Sequence, residues 1–322
     1  MLNKKTIINS ISIIILIIII FQSCTPNLKN TIRIGILNGP STVSFMQMIE
    51  KSTLIGGNKV EIIIKNDPLQ IQALMLRDEV DFAILPTVMA ANLYNKGLKF
   101  RMVACPIWGT LYLLTNDKNI NMNNLNDQKI AVFGRATTAD ILIRRMLIQE
   151  SFERVKLDYT FTTNNEIAQA LLFKKIDLAV ISEPMVSNLI TQDSTIKIIG
   201  KLDCEDYINN STKDIFVQTS FLVSDRFTED NSKLIALVCE AYSNSCNFTN
   251  EQPEIVAQLM VKHKLSPSIE AAKISLPLCN IRYVAAFALE QEVMRYLKIY
   301  FQFSPESIGG KLPDKDFIYQ TF

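Results

Sequence analysis

The chain carries one stretch twice, at a constant offset of 96 residues (130 − 34 and 177 − 81). Residues Ile34–Phe45 read IGILNGPSTVSF, and residues Ile130–Ile141 read IAVFGRATTADI. At the same offset, Asp81–Leu85 read DFAIL and Asp177–Ile181 read DLAVI. The longer stretch runs from an apolar strand pattern into a Gly/Ser/Thr-rich turn and then a helical pattern, which presents free backbone N–H groups to a ligand. The repeat therefore predicts two lobes with a cleft between two facing turns.

Strand and helix patterns alternate along both halves, which predicts sheets of parallel type. In the first half we predict strands over Ile32–Leu37, Val60–Lys65, Phe82–Leu85 and Leu111–Thr115, and helices over Val43–Lys51, Leu69–Arg77 and Thr87–Asn95. In the second half we predict strands over Lys129–Phe133, Leu157–Phe161 and Leu178–Ile181, and helices over Thr138–Gln149 and Asn165–Phe173. A returning strand is predicted at Ile215–Val223, followed by a mostly helical segment over Asn231–Tyr300.

The first residues have the pattern of an export signal. The opening MLNKK is basic, Ile13–Phe21 is uninterrupted apolar sequence, and Gln22 to Cys24 are small or polar. The apolar run is short for a spanning helix, which needs about 20 apolar residues, although an uncleaved anchor is the alternative. The cysteine after the run resembles the bacterial lipoprotein signal, which implies that Cys24 is acylated. We therefore expect the protein at the cell membrane, lipid-anchored on the extracytoplasmic side.

Composition and motifs exclude several classes of protein. The formal net charge is +1, so no excess of charge suggests a nucleic-acid partner. There is no paired Cys/His metal spacing, no GxSxG elbow and no P-loop, and the only histidine, His263, is predicted on the surface. We therefore predict no catalytic residue, cofactor or metal. The cysteines after Cys24 are odd in number, which argues against a disulfide framework, and we interpret them as buried small hydrophobes: Cys105, Cys204, Cys239, Cys246 and Cys279.

Six stretches, taken in order, resemble a known family. They are NGPSTVS, DFAILPTVMAANLYNKG, WGTLYLL, GRATTADIL, EIAQALLFKKIDLAVISEP and GGKLPDKDFIY. Behind a lipoprotein-type signal, they resemble the substrate-binding proteins of ABC importers of the nitrate/sulfonate/taurine and thiamine-precursor type, called SsuA/THI5-like or NMT1-like. The resemblance covers nearly the whole mature chain. It implies an α/β, two-lobed periplasmic-binding-protein type II fold, with two parallel-type sheets, helices and a ligand cleft between the lobes.

The resemblance and the repeat together divide the chain. We expect residues 1–23 to be a lipoprotein signal peptide and residues 24–30 a lipidated stalk. Lobe 1 is expected over residues 31–115, lobe 2 over 116–218, and the return to lobe 1 over 219–322. We expect a monomer that binds one small molecule and delivers it to separate permease and ATPase subunits.

In open α/β sheets, ligands bind beyond the carboxyl ends of the strands, so the turn after each repeated strand is the first candidate site. In the first copy this turn holds Asn38, Gly39, Pro40, Ser41 and Thr42. Gly39 permits close approach of the backbone to a ligand. The hydroxyl of Ser41 or Thr42 either caps the following helix or donates to the ligand.

The turn of the second copy adds a positive charge. It holds Gly134, Arg135, Ala136, Thr137 and Thr138. The helix that begins there offers N–H donors and partial positive charge, and Arg135 adds a planar group suited to a carboxylate, sulfonate or phosphate. The alternatives for Arg135 are a solvated loop charge or an ion pair with Asp140. We expect selectivity to reside mainly in this second copy.

Three further residues are candidates for ligand contact. Thr87 and Glu183 follow the second pair of repeated strands. Glu183 either serves the dipole of its helix or accepts hydrogen bonds from an amine or aminopyrimidine. Trp108, the only tryptophan, either stacks on a flat ligand or belongs to the core.

The sequence leaves the ligand and two other classes of function open. Arg135 favours an anion such as a sulfonate, whereas Glu183 and Trp108 favour an aromatic amine. One alternative function is a ligand-sensing lipoprotein without transport. The other is a dehydratase-like enzyme on the same fold, which would need Glu183 or Asp140 as a general acid or base.

Overall fold

The computed structural model describes residues 31–161, 163–202, 216–228 and 231–320. The predicted signal peptide, Cys24 and the stalk lie outside these residues, as does Cys204. Within the described ranges, no helix is both long and apolar enough to cross a membrane.

The strands of the described chain form two sheets. They are β1 (Thr31–Leu37), β2 (Leu54–Ile55), β3 (Asn58–Lys65), β4 (Phe82–Pro86), β5 (Phe100–Ile107), β6 (Leu111–Thr115), β7 (Lys129–Ala131), β8 (Lys156–Asp158), β9 (Leu178–Ser182), β10 (Lys197–Lys201), β11 (Thr219–Ser224) and β12 (Ile281–Ala285). The seven-stranded sheet has the order β12-β5-β11-β4-β1-β3-β2, and the five-stranded sheet has the order β10-β6-β9-β7-β8.

Helices cover the faces of both sheets. They are α1 (Pro40–Ser44), α2 (Met46–Lys51), α3 (Pro68–Leu76), α4 (Thr87–Asn95), α5 (Thr138–Gln149), α6 (Asn164–Leu172), α7 (Met185–Gln192), α8 (Asp225–Thr228), α9 (Ser232–Glu251), α10 (Pro253–Lys262), α11 (Ile269–Leu278) and α12 (Glu290–Phe303). Side-chain oxygens cap several of them, because a helix begins with unpaired N–H groups. Asp67 caps α3, Thr137 caps α5, Thr163 caps α6 and Ser268 caps α11.

The repeated strands occupy equivalent places in the two sheets. Strand β1 lies parallel between β4 and β3, and β7 lies parallel between β9 and β8. The register keeps the sequence offset, since Gly35 pairs with Ala83 and Ala131 pairs with Ala179. The two copies of the repeat therefore fold into the same three-stranded unit.

Beside each unit lies a strand that has crossed from the other sheet. Strand β6 leaves β5 of the seven-stranded sheet and runs antiparallel to β9, while β11 arrives after β10 and runs antiparallel to β4. Pro86 pairs with Thr219 in one sheet and Ser182 pairs with Leu111 in the other. Both sheets are therefore mixed, and the parallel pairing that the sequence predicts is confined to the two repeated three-stranded units.

Several strands differ from the sequence-based prediction. Strands β2, β10 and β12 were not predicted, and β12 lies within the segment predicted to be mostly helical. Strand β5 was not predicted, because it is buried along almost its whole length and shows no alternation of polar and apolar residues. Strand β6, expected in lobe 1, pairs within the five-stranded sheet. We propose that the lobes divide by sheet, which places one crossing at residues 108–110.

The C-terminal helices pack beside the crossings and contact both lobes. Ala272 and Leu276 of α11 lie in the core that covers the seven-stranded sheet, while α11 also packs against α7 of the other lobe. On α12, the ring of Phe303 lies 5.7 Å from the guanidinium of Arg144 on α5. The interlobe region is therefore flanked by C-terminal helices.

The cysteine prediction is confirmed where the chain is described. Cys105, Cys239, Cys246 and Cys279 are buried free thiols. The prediction for His263 is only partly right, because its ring is half-buried and its Nε2 contacts the carboxylate of Glu50.

Candidate functional site

The two lobes meet near the repeated turns, which follow β1 in lobe 1 and β7 in lobe 2. Gly39 has a φ of 110°, and a Cβ built on it would lie 3.6 Å from Cδ of Pro184. Pro184 follows β9, whose parallel neighbour β7 leads into the turn at residues 134–138. Since the carboxyl ends of parallel neighbours share one edge of a sheet, both repeated turns lie at the boundary between the lobes. This boundary is the candidate cleft.

In the lobe 1 turn, no side chain caps the following helix, and the hydroxyl of Ser41 makes no hydrogen bond within the described residues. Gly39, and not a serine or threonine side chain, is the N-cap of α1, and Pro40 is the first residue of that helix. Thr42 donates from Oγ1 to the carbonyl of Leu37 at 2.9 Å. Ser41 is 4% exposed, and within the described residues its hydroxyl makes no hydrogen bond. The capping role considered for Ser41 is therefore not observed, and its hydroxyl remains available.

Asn38 is the exposed residue of this turn. Its N–H donates to the carbonyl of Lys65 at 2.8 Å, and its Nδ2 donates to Oδ1 of Asn66 at 3.1 Å. Asn66 was not predicted as a site residue. It directly follows β3, so the rule that identified Asn38 also applies to it.

In lobe 2, a buried aspartate holds the equivalent turn from within. Asp140 accepts from the N–H of Ala136 at 2.7 Å and from the hydroxyl of Tyr159 at 2.6 Å, and Nη2 of Arg144 lies 3.2 Å away. Thr137 accepts from the N–H of Asp140 and donates to the carbonyl of Phe133. Asp140 and Thr137 thus fix the turn at the start of α5. Thr138 is half-buried beside them.

Arg135 is presented to solvent on this fixed turn. Its guanidinium lies 4.0 Å from the centre of the Tyr159 ring. Burial and the neighbouring Asp140 carboxylate raise the pKa of Tyr159 to about 12, so the ring carries a neutral phenol at ordinary pH. Among the described residues, no carboxylate forms an ion pair with Arg135, and Asp140 pairs with Arg144 instead. The turn therefore offers an exposed cation that is oriented by stacking.

Glu183 lies buried just before α7, which fits the alternative in which it serves its own helix better than the one in which it contacts a ligand. The side chain is 3% exposed, and both carboxylate oxygens accept hydrogen bonds from serines. Ser187 donates to Oε1 at 2.8 Å, and Ser275 donates to Oε2 at 2.9 Å. Burial raises the pKa of Glu183 to about 7, although the serine hydrogen bonds oppose that shift. The carboxyl group thus points into protein, whereas the neighbouring Pro184 lies close to Gly39 of the lobe 1 turn.

Thr87 and Trp108 are also enclosed. Thr87 is fully buried, and its Oγ1 accepts from Ser220 at 3.0 Å. Trp108 is 7% exposed, donates from Nε1 to the carbonyl of Arg282 at 2.7 Å, and has the Arg282 guanidinium 4.3 Å from its ring centre. Trp108 is therefore a core residue beside the crossing, not an open stacking surface.

A pair of polar residues that was not predicted from the sequence joins the two crossings. Oε1 of Gln218 accepts from the N–H of Thr110 at 2.7 Å, and Nε2 donates to Oγ1 of Thr110 at 3.0 Å. Gln218 stands just before β11 and Thr110 just before β6. The available signal was a polar amide within the apolar run DIFVQTSFLVS.

Known proteins share this architecture. A family model described as NMT1/THI5 like matches residues 56–255. The chain is similar to an ABC transporter structure from Parabacteroides distasonis, with 32% identity, a TM-score of 0.80 and coverage of 90% of this chain and 99% of that chain. It is also similar to the periplasmic aliphatic sulphonate binding protein SsuA from Escherichia coli, with 17% identity, a TM-score of 0.69 and coverage of 92% of this chain and 94% of that chain.

A third similar structure is the periplasmic nitrate-binding protein NrtA from Synechocystis PCC 6803. It has 11% identity and a TM-score of 0.63, over 90% of this chain and 87% of that chain. No curated protein matches the chain. These structural likenesses show the fold, which is a two-lobed α/β fold of the periplasmic-binding-protein type II class.

Proposed function

Because the chain belongs to the NMT1/THI5-like family, we propose that it is the solute-binding component of an ABC importer and binds a small organic anion between its lobes. The observation that carries the choice of an anion is the difference between Arg135 and Glu183. The guanidinium is exposed on the turn that follows β7, whereas the carboxyl group is buried and accepts hydrogen bonds from two serine hydroxyls. The charge offered to a ligand is therefore positive.

The remaining groups at the boundary support the same ligand class. The hydroxyl of Ser41 has no hydrogen-bond partner among the described residues, and an anion accepts hydrogen bonds from such donors. Trp108, which would favour a flat aromatic amine, is covered by Arg282. Two of the similar structures are described as binding an aliphatic sulphonate and nitrate, which are both anions. Among organic anions we favour a sulfonate, since its three oxygens match a planar guanidinium and nearby hydroxyls.

Calorimetric titration tests this ligand class. The panel is an alkanesulfonate, taurine, nitrate and an aminopyrimidine, each titrated into the wild type, Arg135→Ala and Arg154→Ala. Arg154 is the matched control, because it is an exposed arginine of the same lobe that pairs with Asp127. We expect Arg135→Ala to weaken sulfonate binding by about 10- to 100-fold, the cost of one charged hydrogen-bonding partner, and Arg154→Ala to leave it unchanged. Binding of the aminopyrimidine alone would contradict the proposal.

The proposed role is binding without chemical conversion. The two candidate acid/base groups are both committed to protein partners, Asp140 to Ala136 and Tyr159, and Glu183 to two serines. We therefore expect no turnover of prephenate-like acids by the purified protein. Robust turnover would favour the dehydratase-like alternative.

Delivery and anchoring complete the proposal. We propose that Cys24 is acylated and tethers a monomer to the outer side of a membrane, where it passes its ligand to a permease driven by an ATPase subunit. Intact-mass measurement on detergent-extracted protein should show added acyl mass that Cys24→Ser removes. Uptake lost on deletion of the protein, with the permease intact, would separate transport from ligand sensing.

A further inference from the structure

Helices α7 and α11 form an interlobe contact that includes a buried carboxyl group. Helix α11 is joined to lobe 1 through its core residues and through β12, which pairs with β5. Helix α7 follows β9 of lobe 2. Glu183 lies between them and accepts from Ser187 of α7 and from Ser275 of α11. The bond to Ser275 therefore crosses between the lobes, whereas the bond to Ser187 stays within lobe 2.

The backbone of the same residue connects this contact to the cleft. The N–H of Glu183 donates to the carbonyl of Thr110 at the crossing, at 3.1 Å. The next residue, Pro184, faces Gly39 of the lobe 1 turn. Movement of Pro184 relative to Gly39 would therefore also move the carboxyl group relative to Ser275.

We propose that the Glu183 carboxyl group is a proton-dependent latch, which holds α11 against α7 and favours the closed cleft when it is protonated, and favours separation of these helices when it is ionised. The inference rests on the proposed function only in treating cleft closure as the working motion. A neutral carboxyl group has acceptors in place, because Oγ of Ser275 lies 2.9 Å from Oε2 and 3.5 Å from Sγ of Cys279. The protonated carboxyl group of Glu183 can donate a hydrogen bond to Oγ of Ser275, while the Ser275 hydroxyl donates to Sγ of Cys279.

In the described part of the chain, no charge beside Glu183 would stabilise its ionised form. Helix α7 and strand β9 have no ionisable side chain, and β6 contributes only Tyr112. After α11 comes the thiol of Cys279, whose pKa is raised by burial and by Glu183. The charged side chains of α11, Glu270 and Lys273, are exposed, and Lys273 pairs with Glu254. Burial therefore dominates at Glu183 and favours its neutral form.

The sign of the pH effect follows from linkage. The pKa of Glu183 is about 7 in the closed contact, and it returns toward its ordinary value of 4.5 if opening exposes the carboxyl group to water. Between these values the closed form holds a proton that the open form has lost, so raising the pH favours opening. The ratio of closed to open protein should fall by up to about two orders of magnitude between about pH 4.5 and pH 8.

Small-angle X-ray scattering of the unliganded protein at about pH 5.5 and about pH 8 tests the latch. The radius of gyration of the wild type should be smaller at the lower pH. Glu183→Gln, which keeps a neutral group of the same shape, should be compact at both values. Ser275→Ala should be expanded at both, because it removes the bond between the lobes. Ser187→Ala is the matched control and should keep a pH response, since it removes only the bond within lobe 2.

Each of three results would overturn the latch. The first is a wild-type radius of gyration that is independent of pH. The second is a pH response that persists unchanged in Glu183→Gln. The third is equal behaviour of Ser275→Ala and Ser187→Ala when circular dichroism shows both to be folded. Because no ligand is used, failure of anion binding would leave this measurement intact, and failure of the latch would leave the anion proposal intact.

Discussion

Thr110 and Gln218 clamp together the two segments on which the chain passes between its sheets. The side-chain amide of Gln218 accepts from the N–H of Thr110 and donates to its hydroxyl. Each partner also offers its carbonyl to a repeated position, since Thr110 accepts from the N–H of Glu183 and Gln218 accepts from that of Thr87. Thr87 and Glu183 are separated by the offset of the repeat, so the clamp bonds the equivalent position of each copy.

Gln218→Ala should destabilise the protein by about 1–3 kcal/mol, because the N–H of Thr110 loses its acceptor within a buried crossing. Chemical denaturation measures this loss as a lower free energy of unfolding. Gln218→Glu is the control, since its carboxylate still accepts from the Thr110 N–H and can accept from the hydroxyl. Equal losses in the two variants would contradict the assigned geometry.

Tyr159 has two roles that substitution can separate. Tyr159→Phe removes the donor to Asp140 and keeps the ring beneath Arg135, so it should cost about 1–2 kcal/mol of stability with little effect on sulfonate affinity. Tyr159→Ala also removes the ring and should weaken sulfonate binding severalfold further, because the guanidinium loses its stacking partner. Denaturation and calorimetry on both variants check the two effects. Identical affinities would show that stacking does not orient Arg135.

Glu183→Gln should stabilise the protein at high pH and leave it unchanged at low pH. The folded-state pKa of Glu183 is raised to about 7 from 4.5, so the wild type loses stability as the pH rises between these values. The gain in the variant should grow from nothing near pH 4.5 to at most about 3 kcal/mol near pH 8. Urea denaturation at both values measures it. Glu153→Gln, at an exposed position of the same lobe, should show no such trend.

Gly39→Ala should reduce both stability and affinity. At a φ of 110° a side chain is strained, which costs about 1–3 kcal/mol, and the new methyl group would also lie against Pro184 at the interlobe boundary. Gly97→Ala is the matched control, because Gly97 has a φ of 92° and, apart from its chain neighbours, no atom of the described residues lies within 4 Å of the place that its new methyl group would take. Thermal unfolding should report a loss for both variants, and calorimetry a weaker sulfonate affinity for Gly39→Ala alone.

The repeat predicted the centre of each lobe because it preserves register as well as sequence. Gly35 pairs with Ala83 just as Ala131 pairs with Ala179, so two matching strand pairs could be inferred from one offset. The same repeat predicted that the turns after these strands face each other across a cleft. Strand β5 escaped prediction because uniform burial removes the alternation that identifies a strand.

The direction of these side chains could not be predicted from the sequence, because the residues that they contact are distant in the chain. Glu183 is turned inward by Ser275, which is 92 residues away, and no local pattern records that pairing. Trp108 is likewise held by the carbonyl of Arg282, 174 residues away. Arg135 could be predicted as an exposed charge, but its orientation depends on Tyr159, which follows a different strand.

A crystal structure of the complex with an alkanesulfonate tests the proposed anion site most directly. We predict the sulfonate group between the lobes, with its oxygens within hydrogen-bond distance of the Arg135 guanidinium and the Ser41 hydroxyl. Glu183 should remain buried and bonded to its serines. A sulfonate bound away from Arg135, or a ligand amine bonded to Glu183, would contradict this assignment.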